Sequence, residues 1–187
     1  MCIACLNLKL SQSEKKQVFL DYYIPCAFIN ILILFNFCNI IPLWINKAIL
    51  FSFFICAPFE YIQPKLGWVY YYKCIMYKLE PFHIMWIIQS LWDSIILLLL
   101  LGIAICLFST NILYNYNSNA AIFMSSIGMI QEILLESTQT IWFYKPNKFN
   151  PTWAVINGRN MTLQQWHWSI LPTIYYKYII YLLNCNS

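Results

Sequence analysis

The sequence predicts an all-α fold, a polytopic bundle of about five transmembrane helices forming a single membrane domain over 1–187. Three observations lead there. Of 187 residues 61% are hydrophobic and only 10% are charged, far more apolar surface than one soluble core of this length needs. The apolar residues gather into five runs of roughly 20, the length that crosses about 30 Å of hydrocarbon. Lysine and arginine fall in alternate connections between those runs, as they do around cytoplasmic loops.

The runs are 18–38, 42–59, 82–108, 119–144 and 162–183. The third has the strongest pattern, because its second half, 95–108, contains no polar side chain. The fifth is interrupted by Pro172 and carries Lys177, so four spans plus an interfacial helix stays open. Between the fourth and fifth runs, 145–165 is polar and punctuated by Pro146 and Pro151, with the chain's single arginine, Arg159. It reads as a structured, lid-like cytoplasmic connection.

Orientation follows from charge. Lys9, Lys15 and Lys16 precede the first run, Lys65, Lys73 and Lys78 lie between the second and third, and Lys145, Lys148 and Arg159 lie between the fourth and fifth. The connections at 39–41 and 109–118 have no basic residue. The N-terminus is therefore expected in the cytoplasm and the C-terminus on the far side. Lys47 and Lys177 fall in outer halves of their runs, where a long side chain extends its ammonium to the interface. Trp68, Tyr70, Tyr71, Tyr72, Trp142, Tyr144, Trp166 and Trp168 cluster at expected interfaces, where amphipathic rings settle.

Several function classes are excluded or weakened at this level. The net charge of +4 is divided among small clusters at membrane edges, which favours anionic lipid over nucleic acid. Residues 1–17 show neither a small-residue cleavage site nor an arginine-rich amphipathic pattern, so the protein is expected to be integral to a membrane that the sequence does not specify. Eight cysteines and two histidines form no zinc framework: Cys2 and Cys5 make one C-x-x-C pair with no second pair at ligand spacing. Those two could instead be palmitoylated. Cys26, Cys38, Cys56 and Cys106 read as small apolar packing residues. Nucleotide-binding glycine motifs, H-E-x-x-H and G-x-S-x-G are absent. Nothing in these patterns calls for a cofactor or a bound metal.

The chemistry-bearing residues are acids inside the apolar runs. A carboxylate at membrane depth costs on the order of 2.5 to 3.5 kcal/mol even on lenient insertion scales, so its presence there points to function. Asp93 is expected about 16 Å, and Glu132 about 18 Å, from the cytoplasmic edge at 1.5 Å of rise per residue. Gln89 precedes Asp93 by four and Glu132 precedes Glu136 by four, giving each helix one polar stripe. If the third and fourth spans pack through those stripes, two carboxylates meet at low dielectric, where both cannot easily be charged. A shared proton is what acid–base catalysis needs. His83, just inside the third run, could relay protons to the cytoplasm. The candidate catalytic set is thus Asp93, Glu132, Glu136, His83 and Gln89.

The plainer alternative is that these groups make interhelical hydrogen bonds that fix packing. Glu14, Glu60 and Glu80 read as interfacial acids paired with lysines or water, and His167, between two tryptophans, as an interface anchor. A faint repeat joins Glu60 with Trp68, Val69 and Tyr70 to Glu136 with Trp142, Phe143 and Tyr144, as two parallel hairpins would. Two functions therefore stay open. One is an intramembrane enzyme doing acid–base chemistry on a sterol, isoprenoid or other lipid. The other is a non-enzymatic component, a transporter or a structural subunit of a membrane complex. Expected partners are membrane lipids and a lipophilic small molecule, and homo- or hetero-oligomers are compatible with either function.

Overall fold

The computed structural model describes residues 11–65, 69–71, 85–138, 142–144, 155–156, 159–160 and 162–185. Five helices account for most of them: α1 (Gln12–Phe37), α2 (Leu43–Lys65), α3 (Met85–Phe108), α4 (Ser118–Thr138) and α5 (Thr162–Asn184). Three contain segments long and apolar enough to cross a membrane, Leu43–Ile62, Trp86–Phe108 and Ser118–Leu135. In α1 the apolar stretch is shorter, Tyr23–Phe37.

Helices α2 and α3 pack as one hairpin and α4 and α5 as another; α3 meets α4, α2 meets α5, and α1 lies against α3. Small residues let the first hairpin close. On α2 a four-residue spacing buries Ala48, Ser52 and Cys56, and α3 presents Ser90, Ser94, Leu97, Leu101 and Ala104. The serines satisfy their hydroxyls within their own helices: Ser90 Oγ donates to the Trp86 carbonyl at 2.5 Å, Ser94 Oγ to Ser90 at 2.8 Å, and Ser52 Oγ to Ile49 at 2.8 Å. Local back-bonding of this kind removes the penalty of an unpaired hydroxyl in an apolar interior.

Much of the described outer surface is apolar. Leu50 and Phe54 on α2, Leu99, Ile103 and Leu107 on α3, Ile122, Ile130 and Leu134 on α4, and Ile170 and Ile174 on α5 are all exposed. An apolar exterior on this scale suits lipid and not water.

Local chemistry fixes the turns. At the end of α1, Asn39 takes a left-handed conformation (φ 55) and the Ile40 amide bonds back to the Phe35 carbonyl at 2.9 Å, a C-terminal motif that asparagine tolerates better than most residues. Asn36 and Asn46 then exchange side-chain amide hydrogen bonds across the turn, one of them 2.9 Å long. After α3, a 3-10 turn (Thr110–Leu113) leads to Asn117, whose Oδ1 accepts from the amides of Asn119 and Ala120 at 2.9 and 3.1 Å and caps α4. Tyr176 of α5 ties this connection down: its hydroxyl donates to the Ile112 carbonyl at 2.8 Å and accepts from the Asn117 amide at 3.1 Å. Asn184 Nδ2 donates to the Tyr114 carbonyl at 3.1 Å, so the end of α5 lies beside the 109–117 connection.

At the opposite end the segments after α2 and α4 meet. Strand β1 (Val69–Tyr71) pairs antiparallel with β2 (Trp142–Tyr144), in register Val69↔Tyr144, Tyr70↔Phe143 and Tyr71↔Trp142. The two aromatic segments that the repeat singled out are thus each other's partners. The fourth run differs from expectation here: α4 stops at Thr138, and 142–144, rich in aromatic residues that favour strands, leaves the helix. A second pair, β3 (Val155–Ile156) with β4 (Arg159–Asn160), lies within the connection read as a lid.

Candidate functional site

The helices bring a polar cluster together in the half of the bundle nearest β1 and β2. Taking 1.5 Å per residue, Asp93 lies about 12 Å into α3, Glu132 about 9 Å before the end of α4, Cys56 and Glu60 about 14 and 8 Å before the end of α2, and His167 about 8 Å into α5. These distances are counted from the described helix bounds, Met85 for α3 and Thr138 for α4. Four helices contribute.

Asp93 is 7% exposed and is the most buried acid among the described residues. Among the described residues, the groups acting on it are Glu60, Glu132 and Cys56, none of them cationic. The Cys56 thiol is directed at its carboxylate. Its second oxygen, Oδ2, has no hydrogen-bond partner among the described residues. Glu132 also lies within electrostatic range of Glu60, and its Oε2 accepts from Gln131 Nε2 at 3.3 Å. Three carboxyls drawn from three helices thus share one region.

His167 closes the cluster from α5. It is 5% exposed, its ring stacks on Phe59 with centroids 4.4 Å apart and planes at 28°, and its Nε2 has no partner among the described residues. Donor atoms of Cys56, Asp93 and His167 all lie within 4.8 Å of one another. Trp168, fully buried, forms the neighbouring wall; its indole N–H lies toward Glu132 without closing a hydrogen bond. It fits because α4 has Gly128 opposite: a Cβ there would stand 2.8 Å from Trp168 Cε3. The buried Tyr175 hydroxyl is also unpartnered and lies near Cys56. Buried polar atoms are nearly always paired, so these are exceptions among the described residues.

Of the residues singled out from the sequence, Asp93 and Glu132 occur in this cluster. Gln89 sits one turn before Asp93 on α3 and is half-buried. Glu136 belongs to α4, and the position of its side chain lies outside the described residues, as does His83 altogether. Sequence reasoning passed over Cys56 and His167 and placed Glu60 at the surface. The available signal was spacing: Ala48, Ser52, Cys56 and Glu60 form one four-residue stripe on α2, and His167, Leu171 and Tyr175 form another on α5. No protein-family model, curated protein or solved structure matches the chain.

Proposed function

We propose that the chain is a five-span membrane protein, N-terminus cytoplasmic, that carries out acid–base chemistry on a lipophilic substrate within the bilayer. Asp93 and Glu132 exchange the proton, Glu60 completes the carboxyl cluster, and Glu136, Gln89 and His83 connect it toward the cytoplasm. The observation that carries this reading is the grouping of Asp93, Glu132 and Glu60 with an open carboxylate oxygen on Asp93. Three carboxyls at low dielectric cannot all be charged, so the cluster holds protons that a substrate can take or return. The indole and phenyl faces of Trp168 and Phe59 beside it suit a substrate that gains cationic character on protonation.

Two features support the span count. Helix α5 is about 34 Å long by its rise, packs on α4 and α2, and presents Ile170 and Ile174 outward. Lys177 lies over the Tyr116 ring at 5.3 Å, at the level of the 109–117 connection, where its charge can reach the interface.

Lipid profiling of cells with and without the protein tests the reading. A neutral lipid or isoprenoid species is expected to change on expression and to return to its original level with Asp93→Asn or Glu132→Gln, while membrane insertion is retained. An unchanged lipid profile, or loss of the protein with each variant, supports a non-enzymatic structural role instead.

A further inference from the structure

The geometry points to a metal site: we infer that Cys56, Asp93 and His167 bind one divalent transition-metal ion of the zinc class inside the bundle. Their donor atoms lie within 4.8 Å of one another and all three side chains are buried. Asp93 Oδ2 and His167 Nε2, on residues 7% and 5% exposed, lack partners among the described residues. Tetrahedral zinc sets its donors roughly 3.4 to 3.6 Å apart, so small side-chain rotations close the site.

Charge argues in the same direction. Binding takes a proton from the Cys56 thiol, as Cys–SH + M²⁺ → Cys–S–M⁺ + H⁺, and that proton, with any held by Asp93, is released to the buffer. Thiolate, carboxylate and neutral imidazole together carry −2, so the divalent complex is neutral, the form that a low-dielectric interior tolerates best. The mixed sulfur, nitrogen and oxygen donors suit zinc better than magnesium or calcium. Three protein ligands leave a fourth position open, as in catalytic zinc sites. No local motif shows this, because the ligands come from three helices at positions 56, 93 and 167.

The inference changes one role in the proton-transfer reading, that of Asp93, which becomes a ligand. With Asp93 bound to metal, Glu132 and Glu60 would carry the proton. The full chain, purified in detergent, is titrated with Co²⁺ and Zn²⁺. Expected are one ion per chain and a thiolate-to-cobalt charge-transfer band that Cys56→Ser removes and Cys106→Ser leaves intact; Asp93→Asn and His167→Ala are expected to weaken binding at least about tenfold. A chain in which every cysteine except Cys56 is replaced should keep the band, which covers the case in which Cys56→Ser does not fold. Absence of the band, or its survival in a folded Cys56→Ser chain, overturns the site. Neither readout depends on turnover. Lipid conversion without a cobalt band sinks the metal alone, and a band without conversion sinks the proton-transfer reading alone.

Discussion

The hydroxyl of Tyr176 holds the connection between α3 and α4 from both sides, donating to the Ile112 carbonyl at 2.8 Å and accepting from the Asn117 amide at 3.1 Å. A single side chain on α5 therefore ties down the connection that leads into α4. Tyr176→Phe leaves that carbonyl and amide without their partner and is expected to cost about 1 to 3 kcal/mol, read as a lower melting temperature in detergent. The same change at Tyr181, which is 65% exposed, is expected to cost far less; equal losses would refute the clamp.

Gly128 admits Trp168. A methyl group at that position collides with the indole at 2.8 Å, so Gly128→Ala is expected to destabilise by about 1 to 3 kcal/mol through overpacking. Because His167 adjoins Trp168, the substitution should also disturb the cluster and shift tryptophan fluorescence. Unchanged emission and stability would show that the indole is not packed there.

Asn36 and Asn46 join α1 to α2 by reciprocal amide hydrogen bonds. Replacing either by leucine should cost about 0.6 to 2 kcal/mol, the range for polar pairs between membrane helices, and replacing both should cost less than the sum. Strict additivity in the double-mutant cycle would mean that the two amides do not interact.

Pairing of β1 with β2 places Tyr70 opposite Phe143, and directly opposed antiparallel residues lie about 4.5 to 5.5 Å apart at Cα. That separation suits a disulfide. In a chain otherwise lacking cysteine, Tyr70→Cys with Phe143→Cys should cross-link under mild oxidation, whereas Leu50→Cys with Phe143→Cys should not. Failure of the first pair would separate the two connections and remove the evidence that they share one face.

The predominantly helical fold was legible because lipid imposes a simple rule: apolar runs of sufficient length become helices. The second, third and fourth runs overlap the three candidate spans, the fourth only as far as Leu135. Boundaries were less legible, since 142–144 is apolar enough to continue α4 but aromatic enough to form a strand once 69–71 lies beside it. At the site, Asp93 and Glu132 stood out because ionised groups in apolar runs are costly. Cys56 did not, as cysteine in a span is chemically indistinct from alanine until its neighbours are known. His167 was hidden by its flanking tryptophans, which suggest an interface; the helical phase that turns it inward alongside Leu171 and Tyr175 becomes evident only once α5 is packed.

Deuterium transfer from solvent tests the proton-transfer account most directly. Membranes containing the protein, incubated in D₂O with their own lipids, should place deuterium at carbon in a lipophilic product. Asp93→Asn and Glu132→Gln, inserted at wild-type levels, should reduce that label to the level of membranes without the protein. Equal labelling in wild-type, variant and protein-free membranes would contradict the assignment of these carboxyls to proton transfer.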